Sequence, residues 1–70
     1  MKISYLKQFV DQTITLRMTD GELAKVRVHS ISEEDDDIIV DVLESTRSQP
    51  YPACAYTFAA ADILSAEISA

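Results

Sequence analysis

The sequence predicts a mainly β domain in which five short strands follow one short N-terminal helix, and three observations carry that reading. Residues 13–18 (TITLRM) and 23–28 (LAKVRV) alternate apolar with polar on either side of Asp20-Gly21. After Val28 the alternation slips by one position, with Ile31 as the next apolar residue. Two later runs, 53–58 and 63–68, again alternate. Alternation with period two is the mark of a strand with one buried and one wet face, and a slip within a strand marks a bulge or bend.

The helix comes first. Ile3, Leu6 and Val10 stand at helical spacing with Tyr5 and Phe9 beside them, which predicts a short helix over 5–9, capped by Ser4, covering one end of the sheet. A helix of this length holds only through tertiary packing.

The first hairpin can be read down to its register. Ile14, Leu16 and Met18 share a parity, as do Ala24, Val26 and Val28. Residues paired across antiparallel strands lie on one face, so these sets must oppose each other, which requires an odd number of loop residues. A Thr19-Asp20-Gly21 loop meets this and places the only glycine of the chain where a left-handed residue is needed. Arg17 then faces Leu23, Thr15 faces Lys25 and Thr13 faces Arg27.

The second strand bends near His29-Ser30, and residues 33–37 (EEDDD) form a solvated turn. The third strand, 38–44, alternates Ile38, Val40 and Val42 with Ile39, Asp41 and Leu43, so both of its faces are partly covered. Residues 45–52 carry Pro50 and Pro52 and form the longest loop. A fourth strand over 53–58 sets Cys54, Tyr56 and Phe58 on one face. One helical turn at 59–62 then leads to a fifth strand over 63–68, where Leu64, Ala66 and Ile68 alternate. The expected core is Ile14, Leu16, Val26, Val28, Val40, Val42, Phe58, Leu64 and Ile68.

Composition narrows the function. Seventy residues make a single domain, 1–70, with a small core, and such domains gain stability from disulfides, metals or self-association. One cysteine forms no internal disulfide, and with one histidine it builds no ordinary zinc site. Self-association is left, and the chain is expected to be a homo-oligomer. Twelve acidic against six basic residues give a net charge of −6, which disfavours nucleic acid as a partner. No segment reaches the roughly 20 apolar residues of a membrane-spanning helix. A free thiol and no apolar leader point to the cytoplasm.

The order of elements, from YLKQFVDQTITLRMTDGELAKVRVHSI to YTFAAADILSAEI, resembles the Sm-like family of SH3-like barrels over nearly the whole chain. The resemblance implies a small five-stranded barrel in which late strands pair between neighbouring subunits. It carries over no RNA-site residue. The family's loop after the bent strand holds an Asp-x-x-Asn type segment; here it reads Asp35-Asp36-Asp37-Ile38-Ile39, and the chain has no asparagine. Where the family places Arg or Lys then Gly before the last strand, this chain has Ala60-Ala61-Asp62.

No catalytic motif is present, and no cofactor or metal ligand set is expected. The acidic turn lacks the glycine of a calcium loop. Cys54 and His29, the only thiol–base pair, fall on different strands, and Cys54 shares the apolar parity of Tyr56 and Phe58. The candidate partner-binding residues are Arg17, Lys25 and Arg27, half of the basic side chains gathered on one wet face, together with Tyr51 in its proline-flanked loop. Two functions fit: a non-catalytic module that self-associates or binds a protein partner, and nucleic-acid binding through the basic hairpin face.

Overall fold

A computed structural model describes residues 2–46 and 55–68. Helix α1 (Ile3–Leu6) runs into a 3₁₀ turn (Lys7–Phe9), followed by β1 (Thr13–Met18), β2 (Leu23–Ser32), β3 (Asp37–Ser45) and β4 (Tyr56–Ala59). A second 3₁₀ turn (Ala60–Asp62) connects β4 to β5 (Ile63–Ile68). All pairings are antiparallel, in one sheet of order β4-β3-β2-β1-β5.

The β1–β2 register is the one parity requires: Arg17 opposite Leu23, Thr15 opposite Lys25, Thr13 opposite Arg27. Met18 N–H donates to the Glu22 carbonyl (2.8 Å), closing a loop of Thr19, Asp20 and Gly21. Gly21 has φ of +95°, a conformation that costs a residue with a Cβ. Without a glycine of its own, the acidic turn uses Asp36 at φ +54°. Aspartate tolerates the left-handed region better than most residues.

Between Val28 and Ser30 the register of β2 against β3 shifts, leaving His29 as the bulged residue. The need for a bend there is geometric. The turn at 60–62 touches the loops at both ends of β2: Thr19 N–H donates to the Asp62 carbonyl (2.9 Å) and Ala60 N–H to the Asp36 carbonyl (2.8 Å). Three extended residues span at most about 11 Å, whereas ten residues of straight strand run about 30 Å. The sheet therefore curls strongly about the bent β2. It does not close, since β4 and β5 are its two outer strands and do not pair with each other.

The concave side holds the core, with Leu6, Ile14, Leu16, Val26, Val28, Ile38, Val40 and Ile63 fully buried. The helix differs from expectation. It begins at Ile3, so Ser4 lies within its first turn, and position Lys2 precedes it with no side-chain cap. Ile3, Leu6 and Phe9 are the buried residues, at a spacing of three, and Val10 is only partly buried. Packing against the sheet, rather than capping, sets where this helix starts. Two expected core residues are corrected outright: Leu64 is 61 % exposed and Ile68 66 %. Val42 is half-buried, while the inward residues of β5 are Ile63 and Ala66. For Leu64 the cause is an irregularity between Arg17 and Met18, which pair with Ser65 and Ile63 and leave Leu64 as the extra residue, whereas Ile68 pairs regularly with Ile14 on an outer strand. The expected fourth strand is seen as Tyr56–Ala59, and its earlier part lies outside the described residues.

Candidate functional site

The convex face of the β1–β2 hairpin carries the three basic residues. Arg17 and Arg27 are exposed and Lys25 is partly buried. Among the described residues, the ion pairs are Lys7 with Glu33 and His29 with Asp41, so none of the three joins a carboxylate. The neighbouring strands supply an opposing set. On β3, Glu44 lies opposite Lys25 and Asp41 opposite Arg27; on β5, Glu67 lies opposite Thr15 and Ser65 opposite Arg17. Three cations and three carboxylates thus share the face in stripes, acidic on both flanks and basic in the middle. Its formal charge sums to zero, and the −6 of the chain resides elsewhere.

His29 belongs to this face. Its Nε2 lies 2.7 Å from Asp41 Oδ2, across the bulge. An ionised carboxylate only accepts, so Nε2 carries the proton in this bond. Asp41 is directed to His29 by the bulge, which leaves Arg27 without it. His29 is an exposed, hydrogen-bonded residue at the bend.

Two open depressions meet on the same face at Thr15 and Leu23. One continues over Lys25, Glu44, Ser45 and Thr46, and the other over Arg17, Ser65, Glu67 and Ile68. The floor is small and polar, with Leu23 the apolar centre. Such a surface suits recognition by contact. It offers no enclosed volume for a small-molecule substrate.

A second feature escaped the sequence reading. Glu22 is a carboxylate only 8 % exposed. Ser45 Oγ donates to its Oε2 at 2.6 Å, and Glu22 N–H donates to Asp20 Oδ1 at 2.9 Å. Alongside, Leu23 N–H donates to Thr46 Oγ1 and Thr46 N–H to the Leu23 carbonyl, both at 3.0 Å. This latch fastens the end of β3 to the start of β2. The signal was available, because Glu22 has the inward parity of Ala24 and Val26.

The third feature is the outer side of β5. This strand pairs with β1 alone, and Leu64 and Ile68 are the two most exposed large apolar side chains described. By register Ile68 stands opposite the fully buried Ile14. It is an inner-face residue left uncovered because the sheet ends beside it.

Tyr51 and Cys54 lie outside the described residues. Among the described residues no three His, Cys, Asp or Glu side chains are grouped to hold a metal ion, and no helix is long and apolar enough to cross a membrane. Comparison with models of known protein families, with curated proteins and with solved structures finds no match to this chain.

Proposed function

We propose that this chain is a non-catalytic interaction module of the cytoplasm, a small barrel of SH3-like, Sm-like type that self-associates or binds a protein partner through its strand edges. The observation that carries the reading is β5. An antiparallel edge strand with two apolar side chains more than 60 % exposed is a surface for strand addition. Natural edges are ordinarily protected by charge, proline or cover, and within β5 the sole charged side chain is Glu67. The curl of the sheet supports the barrel reading, since β4 and β5 are joined by only three residues. Light scattering tests the function: the wild-type chain is expected to exceed the monomer mass at micromolar concentration, and Leu64→Lys with Ile68→Lys to return it to the monomer. A wild-type monomer refutes self-association.

A second reading rests on one observation, the absence of ion pairs to Arg17, Lys25 and Arg27 among the described residues. Nucleic-acid binding through that face predicts an affinity for short RNAs that falls steeply as salt rises. The flanking Asp41, Glu44 and Glu67 weigh against it, because a phosphate backbone crossing the stripe meets carboxylates on both sides.

A further inference from the structure

We infer that the depression between the first hairpin loop and β4 holds an arginine side chain of a partner protein, its guanidinium set between an aromatic wall and an acidic rim. The site lies apart from the exposed Leu64 and Ile68 and does not depend on self-association.

The depression has a volume of about 280 Å³. Its apolar part comes from Met18 and Phe58, both buried, and from the partly buried Tyr56. Tyr56 and Phe58 stand two apart on β4 and so project to one face, where their ring centroids are 5.0 Å apart in an edge-on contact. Its polar part is Asp20, Glu22 and Asp62. Two segments bring these carboxylates to the aromatic strand: the hairpin loop with the residue after it, and the 3₁₀ turn that follows β4. The bond from Thr19 N–H to the Asp62 carbonyl, at 2.9 Å, ties the two segments together.

The charge of this lining is of one sign. None of Lys2, Lys7, Arg17, Lys25 or Arg27 contributes to it, and neither Asp20 nor Asp62 joins an ion pair among the described residues. The depressions on the convex face differ, since they contain Lys25 or Arg17, and a depression beside α1 contains Lys2. A concave site with walls of low dielectric and charge of one sign concentrates the opposite charge. The ligand is therefore a cation.

Its chemistry follows from the two kinds of wall. An aromatic ring attracts a cation to its face, and a planar guanidinium both stacks on rings and forks onto carboxylates. A quaternary ammonium has no N–H to give the carboxylates. A lysine ammonium is a compact, strongly hydrated charge and loses more hydration beside Met18 and Phe58. The volume falls just under the roughly 300–1,000 Å³ of pockets for drug-sized ligands and suits one long side chain. Free arginine would carry a carboxylate of its own to an acidic rim on a chain of net charge −6, whereas an arginine within a polypeptide does not.

Titration of the full chain with the tripeptide acetyl-Ala-Arg-Ala-amide, followed by backbone amide chemical shifts, tests the site. Saturable shifts are expected at Thr19, Glu22, Phe58 and Asp62 with millimolar peptide. The citrulline analogue keeps the shape of arginine without its charge and is expected not to saturate. The lysine analogue and free arginine are expected to bind more weakly than the tripeptide. Asp20→Asn with Asp62→Asn, both at exposed positions, should weaken binding about tenfold, and Tyr56→Leu about threefold. The rest of each variant's spectrum reports its fold. No saturation with the arginine peptide, equal binding of the citrulline analogue, shifts confined to other surfaces, or undiminished binding by the folded double variant overturns the site. Equal binding of the lysine analogue overturns the choice of a guanidinium. Free arginine that binds as tightly as the tripeptide overturns a partner protein as its source.

Discussion

Strands β1 and β5 lie side by side and alternate in the same way, yet their inner residues meet opposite fates. Leu16 and Ile14 are fully buried, whereas Ile68, directly opposite Ile14, is 66 % exposed. Ile14 and Ile68 are the same residue type, so propensity does not separate them. What differs is position: β1 has a strand on each side and the curled sheet in front of it, and β5 has neither on its outer side. Alternation reports which face a residue takes, and burial is decided by what lies across from that face. An apolar edge strand in a domain this small is therefore a place where the fold is incomplete by itself.

The contrast can be broken most sharply by truncating both sides of it. Leu16→Ala removes a fully buried side chain and is expected to lower unfolding stability by about 2–5 kcal/mol in denaturant titration, enough to unfold many small domains. Ile68→Ala, measured at a dilution where the chain is monomeric, is expected to change stability by less than about 0.5 kcal/mol. A comparable loss at both sites removes the distinction between core and edge.

The polar latch gives the next effect. Glu22→Ala removes the carboxylate that accepts from Ser45 Oγ in a partly buried site, and a loss of about 1–3 kcal/mol is expected by thermal or chemical unfolding. Ser45→Ala should lose at least as much, since it takes a donor from the nearly buried, charged Glu22 carboxylate. Gly21→Ala comes third. Nothing lies within 4 Å of the position a Cβ would take, so the cost is conformational alone, about 1–2 kcal/mol for a left-handed alanine. A neutral result there means the loop has another conformation.

The smallest effect belongs to the convex face. Lys25→Glu with Arg27→Glu should leave the fold within about 0.5 kcal/mol of wild type, because solvated surface charges contribute little. Stability unchanged together with loss of binding to an anionic partner supports a role for the stripe. Unchanged binding to every native partner marks it as ordinary solvated surface.

These regions also differ in how far the sequence revealed them. The hairpin register, the three-residue loop and the bulge at His29 all follow from parity, a local property of consecutive side chains. The start of the helix does not, because it is fixed by Ile3, Leu6 and Phe9 packing on the sheet rather than by Ser4. Leu64 and Ile68 were assigned to the core for the same reason. Their pattern is that of a buried strand; the irregular pairing with β1 turns Leu64 out, and the strand order leaves Ile68 at an edge. The basic residues were located correctly, but the carboxylates that flank them come from β3 and β5, strands distant in sequence whose pairing parity alone does not give. Tyr51, chosen for its prolines, lies outside the described residues.

Sedimentation equilibrium of the wild-type chain against the Leu64→Lys, Ile68→Lys variant tests the central claim most directly. The account predicts that the wild-type chain forms dimers or larger species at micromolar concentration, while the variant is a folded monomer with an unchanged far-ultraviolet spectrum. A wild-type chain that remains monomeric across that range, with both apolar side chains open to water, contradicts it.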